Sequence, residues 1–247
     1  MKNKIRIFIQ NKLGYWFYKI KHLPVGTDLF IDLKSKISHP INVAFDVGAN
    51  IGDVSKSFSF EFPNSSVYSF EPIKKTYEVL EENTAHLLNV KTFQIAFGEQ
   101  EGEIEIELDS VDYSPQNSLL KTVLTPGGNS EKVNVQTIDN FIREKHIEQI
   151  DLLKIDTEGF EERVILGAEE TINKGSIKLI YLEVGFSKKN KHNSNFLSIY
   201  QKLEELDYSF FGIYEISQIG LSSNLHYGNA LFIHSSILSK IENWQLK

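Results

Sequence analysis

The stretch "VAFDVGANIGD", residues 43–53, runs an apolar segment into an acid, Asp46, and then places Gly48 and Gly52 in a short loop. Glycines between a strand and a helix let the chain turn sharply and let a ligand approach the backbone. A second acid, Glu71, ends the next apolar run, "SSVYSFEP". A carboxylate at that point of a strand–loop–helix unit can accept hydrogen bonds from both hydroxyls of a ribose.

Two nucleotide-containing cofactors fit this layout. The dinucleotide fingerprint asks for G-x-G-x-x-G, so that a pyrophosphate rests on a helix N-terminus; this chain has G-x-x-x-G. Asp46 at the mouth of the loop would repel a pyrophosphate and favour a ligand carrying positive charge. S-adenosylmethionine carries an ammonium and a sulfonium beside its ribose, and the loop fits it better than a nicotinamide dinucleotide. Asp46, Gly48, Asn50, Gly52 and Glu71 are the expected cofactor-binding residues.

A second constellation lies in "LLKIDTEGFEERV". Asp156 ends an apolar run just before a helical stretch, so its carboxylate is expected to point into the space beside the methyl donor and to orient or deprotonate an acceptor hydroxyl. An Asp-Thr pair before a helix is also an ordinary cap, and that reading stays open. Glu158 is a second candidate catalytic acid, and Glu183 in "YLEV" is placed to touch the acceptor. Asp156, Glu158 and Glu183 together would suit Mg²⁺, but nothing in their spacing pairs them, and no metal is expected. His192 and His226 are weaker alternatives for the base.

These residues need a scaffold that brings strand ends together. From residue 41 onward, short apolar runs alternate with helical stretches, the pattern of βαβ units and a parallel sheet. The expected strands include "INVAFDVG", "SSVYSFEP", "VKTFQIAFG", "IDLLKID", "IKLIYLEV", "SFFGIYEI" and "NALFIHS", with helices such as "IKKTYEVLEENTAHLL" and "GFEERVILGAEETIN" between them. "GEIEIELDS" and "KVNVQTID" alternate with a period of two and read as an inserted antiparallel hairpin with one wet face. Its long connection, residues 111–131, holds Tyr113, Gln116, Asn117 and Ser118; Asn117 and Ser118 are the expected contacts to a hydroxylated acceptor. The fold class is therefore α/β: a doubly wound, mostly parallel sheet with an inserted β-hairpin, over residues 41–247, behind an N-terminal helical extension over 1–40.

The ordered motifs "FDVGANIGD", "FEP", "IAFGEQEGEIEI" and "VQTIDNFI...IDLLKIDTEGFEERVILGA", spread over residues 41–185, resemble the FkbM family of S-adenosylmethionine-dependent methyltransferases. The resemblance implies a class I, Rossmann-like methyltransferase fold and methylation of a hydroxyl oxygen on a sugar, glycan precursor or related metabolite. It maps Asp46, Gly48, Asn50, Gly52 and Glu71 onto cofactor-binding motifs. Thr157 stands where many members of the family carry a small aliphatic residue. A nicotinamide-dependent oxidoreductase on a similar sheet and a catalytically silent relative are the competing functions.

Composition narrows the partners. The 247 residues carry a net charge of −7, which argues against a protein that tracks a phosphate backbone, so no nucleic acid is expected. There are no cysteines, which removes disulfides and thiolate chemistry. Residues 1–22 run against the acidic whole, with Lys2, Lys4, Arg6, Lys12, Lys19 and Lys21 and no acid. Read as a helix, Ile5, Ile9, Leu13, Trp16 and Ile20 share one face, which would dock on the domain or lie on a membrane surface. The expected location is cytoplasmic, with peripheral contact to the inner face of a membrane as the alternative role of residues 1–22.

Overall fold

A computed structural model describes residues 7, 8, 10–12, 14, 19–108, 130–187, 190, 192–219 and 224–238. Its centre is β1 (Val43–Val47), in which Ala44, Phe45, Asp46 and Val47 are all buried. A strand covered on both faces reads as a near-continuous apolar run. β1 pairs in parallel with β2 (Ser66–Phe70) on one side and β7 (Ile150–Ile155) on the other. β3 (Val90–Phe93) extends the sheet beyond β2, and β8 (Ile177–Gly185) beyond β7, both in parallel. β10 (Asn224–His234) runs antiparallel to β8 and to β9 (Tyr208–Ile219), giving the order β3-β2-β1-β7-β8-β10-β9. The fold class expected from the sequence is what the chain adopts.

The two faces of this sheet have different covers. On one face Phe45, Phe70 and Phe93 meet Phe141 of α4 (Ile138–Glu144) at 5.0–5.8 Å between ring centroids, in edge-on geometry. On the other, Ala44, Val67, Leu152, Leu179 and Leu231 pack under Phe58 of α2 (Asp53–Glu61). Burial of each such side chain contributes roughly 1.5–3 kcal/mol.

Two predicted elements are divided. "VKTFQIAFG" leaves the main sheet after β3; beyond the end of β2, Pro72 has no N–H to offer the ladder and Ile73 N–H donates to Glu71 Oε1 (3.0 Å). The chain then forms β4 (Ala96–Phe97), which joins β6 (Ser130–Gln136) and β5 (Gly102–Glu107) in a second, three-stranded sheet containing the inserted hairpin. The stretch expected as one helix over "GFEERVILGAEETIN" breaks into α5 (Glu161–Leu166) and α6 (Glu169–Asn173). A Cβ on Gly167 would lie 1.9 Å from the Gly98 carbonyl oxygen. Asp139 accepts from the amides of Glu170 (3.0 Å) and Thr171 (2.9 Å) and so starts α6 afresh. Further helices are α3 (Lys74–Thr84), α7 (Phe196–Glu205) and α8 (Ser235–Leu238).

Near the N-terminus, α1 (Leu29–Asp32) runs into a wider π turn over Leu33–Ile37, and Leu33 and Ile37 are buried on the α2 face of the sheet. Asp32 pins this segment by accepting from Tyr214 Oη (2.8 Å) and Gly26 N–H (2.9 Å). Of the apolar stripe expected over residues 1–22, Ile5, Ile9, Leu13 and Trp16 lie outside the described residues, and Ile20 is exposed. Among the described residues no helix is long and apolar enough to cross a membrane.

Candidate active site

In a sheet of this kind the ligand crevice forms where strand order reverses, here between β1 and β7. A cleft of about 700 Å³ opens there, at the carboxyl ends of β1, β2 and β7. Gly48, Asn50 and Glu71 line one part of it; Ile73, Ile95, Phe97 and Ile106 make an apolar end; Asp156, Thr157 and Glu158 close the other.

The glycines answer first to the protein itself. Gly48 has φ +74°, and a Cβ there would lie 1.8 Å from the Asp156 carbonyl oxygen, so the loops after β1 and β7 cross at van der Waals contact. Gly52, at φ +91°, lies beneath the cleft, where a Cβ would meet Leu80 Cδ1 of α3 at 2.8 Å. Between them Asn50 takes φ +48°, a left-handed conformation that Asn tolerates better than most residues. Its amide thereby donates to Glu71 Oε2 at 3.1 Å.

Glu71 is nearly enclosed, and its two oxygens accept from the Asn50 and Ile73 amides. Burial is the stronger influence and pushes its carboxyl up to about 7, while the two amides pull the other way. Each oxygen keeps a lone pair for a hydroxyl donor.

Asp46 is not at the mouth of the loop. It is wholly buried under it, with Oδ2 accepting from Ser55 Oγ (2.6 Å) and Oδ1 3.0 Å from Lys154 Nζ. The register explains the pairing, because Asp46 sits beside Lys154 on β7 and beside Ser69 on β2, and Ser69 Oγ bonds Ser55 Oγ at 2.7 Å. Lys154 Nζ also donates to the Gly48 carbonyl (3.0 Å) and lies 3.5 Å from Asp156 Oδ2. Burial alone would lower the pKa of this ammonium, but Asp46 and Asp156 overcome it and hold the group firmly protonated. The expected direct attraction between Asp46 and a cationic ligand is therefore spent on Lys154, which spans the crossing of the two loops.

Negative charge facing the cleft comes instead from Asp156 and Glu158 after β7, with Glu183 at the end of β8 beside them. Carboxylate oxygens of Asp156, Glu158 and Glu183 lie within 4.8 Å of one another, a grouping that their spacing in the chain did not announce. Such an oxygen set is one a hard divalent cation accepts, although Lys154 already supplies one positive charge beside it. Burial, followed by the Asp156 and Glu158 carboxylates, pushes Glu183 up to about 8. Asn193 Nδ2 donates to Glu183 Oε2.

Glu161, absent from the sequence-based candidates, organises this end. It is fully buried; Oε1 accepts from Thr157 N–H (3.0 Å), Thr157 Oγ1 (3.1 Å) and Gly159 N–H (3.0 Å), and Oε2 from Ser194 N–H (3.1 Å) and Oγ (2.7 Å). It thus holds Glu158, at φ +53°, between Asp156 and the segment after β8. Thr157 contributes its hydroxyl to this bracket. Asn117 and Ser118, with Tyr113 and Gln116, lie outside the described residues. His192 and His226 do not line the cleft.

The chain is similar to the 2-O-methyltransferase NoeI of Sinorhizobium fredii, 24% identical over 74% of this chain and 79% of that protein. It is also similar to methyltransferase sdnD of Sordaria araneosa, 30% identical over 59% of this chain and 67% of that one. The 31-O-demethyl-FK506 methyltransferase FkbM of Streptomyces tacrolimicus is 28% identical over 53% of this chain and 61% of its own. Among solved structures, M. capricolum TrmK in complex with S-adenosyl-homocysteine aligns at a TM-score of 0.46 and 10% identity, over 81% of this chain and 66% of that one. The model of the methyltransferase FkbM domain matches residues 46–210, a span that starts at the buried Asp46 and takes in both loops that cross at Gly48, so the chain belongs to that family of methyltransferases.

Proposed function

We propose that this methyltransferase is an O-methyltransferase, moving a methyl group from S-adenosylmethionine to a hydroxyl of a sugar, glycan precursor or related hydroxylated metabolite. The observation that carries the reading is the cleft itself: a buried carboxylate with free lone pairs, Glu71, lines it together with Asp156 and Glu158, and Glu183 lies within 4.8 Å of those two acids. Glu71 would hold the ribose hydroxyls, Ile73, Phe97 and Ile106 the adenine, and the chain at Gly48 and Asn50 the amino-acid part. Asp46 and Gly52 serve from beneath, by fixing Lys154 and the packing of α3.

When bound, S-adenosylmethionine supplies a methyl group on a positively charged sulfur. Asp156, Glu158 and Asp46 set three carboxylates against the one Lys154 ammonium, a balance that favours a cation and opposes the diphosphate of a nicotinamide dinucleotide. Asp156 would accept a hydrogen bond from the acceptor hydroxyl and take its proton as the oxygen–carbon bond forms and the carbon–sulfur bond breaks, the bonding pair staying on sulfur in S-adenosylhomocysteine. Glu158 would share that task, and Glu183 would hold the acceptor in line. Incubation of the protein with S-adenosylmethionine and a cell glycan extract, followed by mass spectrometry, should reveal glycans heavier by one methylene unit. Cofactor binding without any methylated hydroxyl product would overturn the O-methyl reading and leave the silent relative.

A further inference from the structure

A second cleft, of about 760 Å³, opens on the α2 side of the sheet between residues 27–30, α2 and β9. Its lining includes Phe30, Phe58, Tyr181 and Tyr214, with Asp28, Asp53 and Glu215 as acids, and among the described residues neither lysine nor arginine lines it. It adjoins the acid end of the active site: Tyr181 is the β8 neighbour of Lys154 and lies two residues before Glu183 on the same face, about 7 Å away.

Glu215 reaches this cleft through an irregularity in the sheet. Tyr214 pairs with Asn229 and Ser217 with Tyr227, so Glu215 and Ile216 together oppose Gly228 alone. Such a bulge re-aims a side chain. Glu215 takes φ +50° within it, a costly conformation for a residue other than glycine. The result is a carboxylate turned across the sheet, with Oε2 accepting from Tyr181 Oη (3.2 Å) and Asn229 Nδ2 (2.7 Å). Asn229 in turn is the strand partner of Glu183. One short chain of contacts therefore links the bulge to the acids beside the methyl donor.

We infer that this second cleft is the acceptor subsite, and that it takes an electrically neutral, polyhydroxylated ring. Phe30, the half-buried aromatic of the lining, offers a face to the C–H side of such a ring over the buried Phe58, Tyr181 and Tyr214, and Glu215 and Asp53 accept from its hydroxyls. The three acids of the lining, with no lysine or arginine among its described residues, repel phosphate, sulfate and carboxylate groups and favour a neutral acceptor. The inference rests on the methyltransferase reading and adds where the acceptor sits and what charge it carries.

The test is saturation-transfer NMR on the full chain loaded with S-adenosylhomocysteine. Its probes are methyl α-D-glucopyranoside, methyl α-D-galactopyranoside and methyl α-D-mannopyranoside, with glucuronic acid and glucose 6-phosphate as anionic counterparts. Irradiating aromatic protons should transfer saturation to the ring C–H protons of at least one neutral glycoside, and about tenfold less to the anionic sugars. Glu215→Gln should weaken the neutral signal about tenfold and leave S-adenosylhomocysteine affinity within about twofold, since a hydrogen bond to a charged group is lost only in this cleft. Tyr181→Phe, which keeps the ring, should weaken it less. No transfer to any neutral glycoside, equal transfer to the anionic sugars, or an undiminished signal in Glu215→Gln would each overturn the inference. If wild type fails to bind S-adenosylhomocysteine, the methyltransferase reading falls as well; if it binds and the glycosides stay silent, only the acceptor subsite falls.

Discussion

Replacing Glu71 by glutamine removes one charge from the donor cleft and keeps the side chain's size. In the wild type both carboxylate oxygens are engaged by amides, Asn50 at 3.1 Å and Ile73 at 3.0 Å, and both retain acceptor capacity. Glutamine has only one acceptor atom, so one amide faces an NH₂ group and one ribose hydroxyl loses its partner. A hydrogen bond to a charged group contributes about 1.5–3 kcal/mol, so Glu71→Gln should weaken S-adenosylhomocysteine binding roughly ten- to a hundredfold. The effect has a pH signature. Burial pushes Glu71 up to about 7, so acid protonates the empty site and competes with the ligand. Wild-type affinity should rise up to about tenfold per pH unit from about pH 6 to about pH 7 and level off above, whereas Glu71→Gln should be flat. Stability without ligand moves the other way. A carboxyl whose folded pKa is raised gives stability that is fully present below its unfolded value and is lost as pH rises through the folded one. The loss should therefore fall between 4.5 and about 7 and amount to at most about 3 kcal/mol. Isothermal calorimetry and thermal melts across that window measure both effects. Equal affinity of the two proteins at every pH would refute the assignment of Glu71 to the ribose.

Asp156→Asn should leave S-adenosylhomocysteine affinity within about threefold and lower turnover by about a hundredfold or more, a split visible in single-turnover assays once an acceptor is in hand. Asp46→Ala leaves the buried Lys154 ammonium only the Gly48 carbonyl and the more distant Asp156 carboxylate, and should cost about 3 kcal/mol, lowering the melting temperature by on the order of 10 °C. A change confined to ligand affinity would restore Asp46 to a direct role at the donor. Glu161→Ala orphans five donors and should speed hydrogen exchange at Thr157, Gly159 and Ser194 together; uncoupled exchange at these amides would show that the bracket is not one unit.

The alternation of strands and helices was legible because the central strands of the parallel sheet are near-continuous apolar runs, as in "LIYL" of β8. The loop positions were legible too, since Gly48, Asn50, Glu71, Asp156 and Glu158 all line one cleft. What the glycines face was not: Gly48 meets a carbonyl of a loop more than a hundred residues away, and only the register of β1 with β7 brings it there. The same register hides the fate of Asp46. One clue stood in plain view, because Lys154 interrupts the apolar run "LLKI", and a lysine in a central strand must have an acid beside it. Glu161 drew no reading from the sequence, for nothing local shows that this helical turn faces inward. The split after β3 likewise coincides with a side-chain contact the sequence does not display, the Ile73 amide donating to Glu71.

The central claim is that this cleft, with a carboxylate for a ribose at one end and an acid cluster at the other, accepts a cationic sulfonium nucleoside and not a diphosphate. Calorimetric titration of the same preparation with S-adenosylmethionine and then with NAD tests it directly. The account predicts saturable one-site binding of the first and no heat from the second; binding of NAD with no response to S-adenosylmethionine would contradict it.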